Sequence, residues 1–327
     1  MTSPSDPHRD RPHAPAHSIA RVQPSPQLEE QVQSIVDAAL LADGVAPLSE
    51  EALLRVKYNP KDALLGNAPA DEHLNIHSGD GRMVGYAHLD LPDEQSRDEI
   101  SGEFVIHPDY RRQGYGSALL SQLLFQAQER GIRLWAHGDL PAAAALARSA
   151  RMRRVRALWQ LRMPLAGISA DEPARPAGVS LRTFRPGLDE DAWLGVNRRA
   201  FAHHPEQGRW TMDDLLAREA EPWFDPAGFF LAERDGRVVG FHWTKVHQAE
   251  DGAPPIGEVY VVGVDPGQQG GGLGRALTMA GLAHLRRIGL AEVMLYVDED
   301  NTAAVKLYTA LGFGRWSTDV MYGRAGK

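Results

Sequence analysis

The chain has 327 residues with no cysteine, and its 35 lysines and arginines stand against 43 aspartates and glutamates for a formal net charge of −8. That length favours two domains over one. The missing thiols exclude a disulfide framework, a thiolate metal site and a cysteine nucleophile, and the acidic balance argues against nucleic acid held by bulk electrostatics.

Residues 1–26 are rich in Pro, His, Ser and Asp and lack the apolar stretch of a signal peptide; they read as a disordered tail. No apolar run is long enough to span a bilayer, and a cytoplasmic monomer without membrane contacts is expected. Leu28 to Leu41 carries apolar residues at helical spacing, and Pro47-Leu48-Ser49-Glu50 begins a second helix that runs to about Val56. His73 to His77 and Met83 to Leu91 alternate apolar and polar around Gly79-Asp80-Gly81-Arg82, which predicts a hairpin. Glu99 to Ile106 is a further strand. Pro108 and Arg111-Arg112-Gln113-Gly114-Tyr115-Gly116 follow it, then a helix from Ser117 to about Arg130, a strand from Ile132 to His137, a helix from Ala142 to Ala150, and closing strand character from Arg153 to Met163. Residues 165–178, with Pro173 and Pro176 and no period, read as a linker between a first domain over 27–164 and a second over 179–327.

The second half repeats the first. Asp80-Gly81-Arg82-Met83-Val84-Gly85-Tyr86 recurs as Asp235-Gly236-Arg237-Val238-Val239-Gly240-Phe241, and Gly114-Tyr115-Gly116 as Gly272-Leu273-Gly274, with Pro108 matched by Pro266. Ordered matches at nearly constant spacing indicate a duplicated domain. The second copy adds a strand at Val179 to Phe184 and helices near Asp189 to Ala202 and Thr211 to Ala220.

The stretch from Gly257 to Arg275 passes from an apolar strand through Asp265-Pro266 into a glycine-rich turn that opens a helix. Free backbone N–H groups and the helix dipole make such a turn an anion site. A P-loop needs Lys-Ser/Thr after the last glycine, and Arg275-Ala276 stands there. A dinucleotide fingerprint needs a third glycine where Leu277 stands. The remaining pattern, Gln/Arg-x-x-Gly-x-Gly, occurs at Arg111 to Gly116 and at Gln269 to Gly274, the second followed by Asn301-x-x-Ala304-x-x-Leu307-Tyr308-x-x-Leu311-Gly312-Phe313.

On these motifs the chain resembles the GNAT family of acetyl-coenzyme A-dependent N-acetyltransferases in both halves. The resemblance implies an α/β protein of two tandem GNAT-like domains, each a mixed, partly split sheet flanked by helices. It assigns acetyl-coenzyme A to Val262, Gly263, Val264, Gln269, Gly270, Gly271, Gly272, Leu273, Gly274, Arg275, Asn301 and Lys306. In the first copy it assigns Phe104, Val105, Ile106, Arg112, Gln113, Gly114, Tyr115, Gly116 and Ser117 to a second cofactor molecule. Tyr308 takes the place of the acid that protonates the departing thiolate, and backbone N–H groups near Val262 hold the thioester oxygen, Gly263 permitting an irregular strand there.

An ammonium has no lone pair, so acetyl transfer to an amine needs a base. Alternation puts Glu258, Tyr260, Val262 and Val264 on one face of the strand, and Glu258 is the candidate. The first copy has Ile100, Leu140 and Ala147 where the second has Glu258, Asn301 and Tyr308, so only the second is expected to be catalytic. Longer segments, among them Trp135-Ala136-His137-Gly138, residues 200–208 and residues 240–247, resemble the two-domain GNAT enzymes that acetylate the cysteinyl amine of cysteinyl-glucosaminyl-inositol. That resemblance maps contacts with this small thiol precursor onto Glu50, Glu206, Lys245, Glu258 and Tyr296. Acids and a lysine suit a sugar, a polyol and an ammonium. Adjacent His203 and His204 diverge on a helix or a strand, so no metal is expected. Another amine acceptor, or a coenzyme A-binding module without catalysis, remains the alternative.

Overall fold

Period-two strands and 3.6-period helices alternate along the chain, and the computed structural model folds them into two α/β units. It describes residues 16–57, 71–92, 99–127, 129–169, 174–203, 207–249 and 254–326. One unit comprises the described residues up to Ala157 together with those from Thr318 onward, and the other comprises Leu158–Ser317.

The first unit contains β1 (His17–Val22), α1 (Pro26–Asp43), α2 (Glu50–Lys57), β2 (Asp71–Ser78), β3 (Met83–Asp90), β4 (Ile100–Ile106), α3 (Tyr115–Gln126), β5 (Gly131–Ala136) and α4 (Pro141–Ser149). The strand β6 (Arg153–Pro164) crosses the boundary. The second unit continues with β7 (Ser180–Thr183), α5 (Glu190–Ala200), α6 (Met212–Glu219), β8 (Phe229–Arg234), β9 (Arg237–His247), β10 (Ile256–Val264), α7 (Leu273–Arg287), β11 (Glu292–Asp298) and α8 (Thr302–Leu311), and β12 (Gly314–Ala325) crosses back. Strand order is β1-β2-β3-β4-β5-β12 in the first unit and β6-β11-β10-β9-β8-β7 in the second.

The closing strands are exchanged. Leu158–Pro164 of β6 pairs antiparallel with β11 in the second unit, while Val320–Ala325 of β12 pairs antiparallel with β5 in the first. Arg153 to Met163 therefore does not simply close the first half of the sequence. Alternation identifies a strand but carries no information about which distant strand it joins. Part of the expected linker is also core: Leu165 and Ile168 are buried with Val293, Leu285 and Tyr308, and Leu165 N–H bonds Ala291 O at 2.8 Å.

The expected tail gives way at His17. Residues 17–22 pair antiparallel with β2, and Ser25 then caps α1, its hydroxyl accepting from Leu28 N–H at 3.2 Å, with Pro26 at the first turn where no amide donor is missed.

The two units use equivalent sheet positions differently. In the second, Phe229, Trp243 and Val261 lie in one cross-strand row, and Trp243 stacks on Phe229 at 4.5 Å within an aromatic core that includes Trp193. In the first, the corresponding row is His73, His88 and Glu103, all buried. Glu103 is bonded by His137 Nε2 at 2.8 Å, by Ser49 N–H at 2.7 Å and by Ser49 Oγ. His137 Nδ1 reaches Asp319 Oδ2 at 3.1 Å, and Gly138 N–H reaches Asp319 Oδ1 at 2.8 Å. This ionic network fastens β12 to the first unit.

Candidate active site

Both glycine-rich turns adopt the same backbone. Gly270 and Gly272 have φ of +85° and +82°, and the matching Arg112 and Gly114 have +63° and +98°. Left-handed backbone is free for glycine and costs about 1 kcal/mol for an ordinary residue, so Arg112 holds this turn under mild strain. In α7 the first N–H to bond back is Ala276, to Gly272 O at 3.0 Å; in α3 it is Ala118, to Gly114 O at 3.0 Å. Neither helix has a side-chain cap, so the N–H groups of Leu273, Gly274 and Arg275, and of Tyr115, Gly116 and Ser117, are free of intrahelical partners. A Cβ built on Gly270, Gly271 or Gly272 meets nothing within 4 Å. Open space against unpaired amide donors fits a pyrophosphate.

The residue that opens each turn ties it to its strand. Gln269 Nε2 donates to Val264 O at 3.2 Å, and Arg111 Nε donates to Ile106 O at 3.0 Å. Arg111 is further held by two 2.7 Å bonds to the Asp43 carboxylate. Its charge is spent inside the protein, leaving Arg112 as the exposed cation of that turn.

Ahead of each turn a parallel strand pair comes apart. Pairing of β10 with β11 ends at Val259↔Leu295, and that of β4 with β5 at Glu103↔Trp135, although β10 and β4 continue to Val264 and Ile106. Only β10 also carries a bulge, where Val259 pairs with Thr244 and Val261 with Trp243, leaving Tyr260 as the extra residue. The bulge corrects the expected face. Glu258 is opposite Lys245, and Tyr260 packs in the Trp193–Trp243 cluster, whereas Val262 packs with Val259 and Leu282 and Val264 packs with Leu273 and Leu277. Glu258 and Tyr260 share one face; Val262 and Val264 look to the other. Gly263 is required for closeness rather than irregularity, since a Cβ there would lie 2.6 Å from the Phe241 ring.

Around Glu258 the second unit assembles several predicted residues. Its side chain is 9% exposed, and its Oε2 lies 2.7 Å from His247 Nε2. Lys245, directly across β9, stacks its ammonium 4.4 Å from the Trp223 ring centre and 5.4 Å from that of Tyr260. Tyr260 OH accepts from Arg218 Nε at 3.0 Å. Tyr296 lies two residues beyond Met294, the partner of Glu258 on β11, and its half-exposed hydroxyl accepts from Gln160 Nε2 at 2.7 Å.

Tyr308 is buried on α8, its ring edge-on to Phe313 at 5.7 Å, and burial pushes its phenol up to about 12. Asn301 is the N-cap of the same helix, Oδ1 accepting from Ala304 N–H at 3.2 Å. Lys306 is exposed. Leu140 likewise occupies the N-cap position of α4 but offers no side-chain bond, and Ala147 and Ile100 are buried apolar residues. Glu50 begins α2 of the first unit. Glu206 lies outside the described residues. The sequence reading missed His247 and the aromatic seat of Lys245; both lay in segments singled out only for their resemblance.

Among the described residues no group of three or more His, Asp or Glu side chains could hold a metal ion, and no helix is long and apolar enough to cross a membrane.

Two copies of a sheet that parts just before a phosphate-type turn define a tandem α/β acyltransferase architecture. The fold is shared with a tandem GNAT protein from the clavulanic acid biosynthesis pathway, at a TM-score of 0.69 and 21% identity over 95% of this chain and 98% of that one. A GCN5-related N-acetyltransferase from Sphaerobacter thermophilus matches at a TM-score of 0.62 and 25% identity, over 94% and 95% of the two chains.

The chain belongs to the Acetyltransferase (GNAT) family, whose model matches residues 47–150 and 196–313. The family implies acetyl-coenzyme A as cosubstrate. Relatives named mycothiol acetyltransferase include one from Thermobispora bispora, 56% identical over 93% of this chain and 98% of the relative. Another, from Thermomonospora curvata, is 56% identical over 91% and 93%.

Proposed function

We propose that this protein acetylates the cysteinyl amine of cysteinyl-glucosaminyl-inositol, the last step of mycothiol biosynthesis, in its second unit. The observation that carries the chemistry is the buried carboxylate of Glu258, on the strand that leads into the 269–275 turn; the bulge moves its counterpart in the first unit from the expected Ile100 to Ser101, which pairs with Asp90 as Glu258 pairs with Lys245. The 56% identity to mycothiol acetyltransferases over most of the chain supports the acceptor. Acetyl-coenzyme A supplies the acetyl thioester. The N–H groups of Leu273, Gly274 and Arg275 bind its phosphates, and the unpaired edge of β10 near Val262 holds the thioester oxygen. Glu258 takes a proton from the acceptor ammonium, directly or through one water. Lys245 and Tyr296 offer hydrogen bonds to the sugar and polyol hydroxyls. The test is coenzyme A release with a panel of amines. The mycothiol precursor is expected to react far faster than an aminoglycoside, a polyamine or a peptide N-terminus; no rate with it, or a better rate with another amine, overturns the assignment.

Tyr308 is the hydrogen-bond donor to the leaving sulfur. With its phenol at about 12 it keeps its proton at any working pH. A thiol of ordinary pKa, about 8.5, is the stronger acid, so Tyr308 stabilises the leaving thiolate by donating a hydrogen bond rather than by releasing its proton ahead of bond cleavage. A second acetyl-coenzyme A binds the first unit, a reading supported by the shared turn conformation at Arg112 and Gly114. Tyr308→Phe is therefore expected to lose about 10- to 100-fold in single-turnover rate while calorimetry still counts two acetyl-coenzyme A molecules per chain. An unchanged rate removes the donor role, and a stoichiometry of one removes the second site.

A further inference from the structure

We propose that His247 is a positioning residue for the base: its Nε2–H holds Oε2 of Glu258 and leaves Oε1 to take the acceptor's proton. The inference rests on Glu258 being that base. A carboxylate that acts as a base has no proton to donate, so the 2.7 Å contact assigns the hydrogen to the imidazole.

The register shows what this bond prevents. Glu258 pairs directly with Lys245, while His247 pairs with Ile256. Side chains directly opposite in an antiparallel pair sit about 5 Å apart at Cβ, so the near cation on this face is Lys245. An ion pair between them would occupy the carboxylate and weaken it as a base. The Lys245 ammonium lies over the rings of Trp223 and Tyr260, and the carboxylate is held diagonally by His247. The His247 side chain is 37% exposed against 9% for Glu258, so it approaches the carboxylate from the solvent side.

The test compares His247→Leu, His247→Gln and His247→Asn by single-turnover acetyl transfer, with Glu258→Gln alongside. Glutamine can place an amide N–H near the position of Nε2; asparagine is one methylene short, and leucine has no donor. The leucine and asparagine variants are expected to lose about 10- to 100-fold in rate, the usual cost of a misplaced catalytic group. Glutamine should recover most of that loss, with the KM for acetyl-coenzyme A unchanged throughout. Leucine at the wild-type rate overturns the proposal, as does glutamine no better than asparagine; the latter comparison decides the matter if the leucine variant does not fold. Failure of the underlying reading looks different, since Glu258→Gln itself would then keep its rate.

Discussion

Glu258→Gln is expected to lower the single-turnover rate of acetyl transfer by about 10²- to 10⁴-fold at neutral pH, the usual contribution of a positioned general base. The substitution is nearly isosteric, and the amide oxygen can still accept from His247 Nε2–H, so the strand and its neighbours stay in place. What disappears is the capacity to take a proton. An α-amine of ordinary basicity loses its proton near pH 8, so the deficit should shrink as pH rises past that value and the neutral acceptor arrives ready-made. A deficit that persists unchanged to pH 9.5 would mean that Glu258 binds the acceptor rather than deprotonates it. A variant as fast as wild type would leave the reaction without this base.

The second large effect is on stability. Burial opposes charge on His137, but its hydrogen bonds to Asp319 and Glu103 outweigh that and raise it from 6.5 to about 10. Burial would likewise raise Glu103, and its bonds to His137 and Ser49 turn the shift downward. Removing the imidazole leaves two buried carboxylates without their cation. His137→Leu should therefore cost about 3–5 kcal/mol, a large share of the usual margin of a folded domain. The pH dependence has a definite sign. A group whose pKa is higher folded than unfolded stabilises fully below the unfolded value, so this contribution is complete below about pH 6.5 and is lost as pH climbs towards 10. Denaturant unfolding at pH 6.5, 8 and 9.5 should show wild type losing stability that His137→Leu has already lost. Parallel curves for the two proteins would contradict the assignment.

Much of the candidate site was legible because its signals are local. Glycines at Gly270 and Gly272, Asp-Pro ahead of them and the ordered repeat all follow from backbone geometry over a few residues. The loss of Tyr308 to Ala147 needed only a comparison of the chain with itself, and so did the absence of a carboxylate at the place of Glu258, although the bulge makes Ser101 rather than Ile100 its counterpart. What escaped depends on contacts between residues far apart in sequence. The bulge at Tyr260 reverses the strand's alternation, and no glycine marks it; Gly263, the expected sign of an irregular strand, serves the Phe241 ring instead. Arg111 stands at the head of its turn motif, but Asp43, 68 residues earlier, holds its guanidinium. His247 shows its relation to Glu258 only once β9 and β10 are in register. The start of β1 was hidden because half of His17-Ser18-Ile19-Ala20-Arg21-Val22 is polar with no clean alternation, as a strand with one open edge can be.

The exchange of closing strands bears on how the protein is made. During synthesis the residues of β1 to β5 emerge first, yet the strand that completes their sheet, Val320–Ala325, emerges only after the whole second unit. Until then β5 presents an unpaired edge, and Leu158–Pro164 waits for β11. Non-local pairing of this kind is slow and leaves strand edges exposed while it waits. The first half cannot be a finished folding unit ahead of the second. A cut in the 165–178 segment would give two fragments that each lack a strand held by the other.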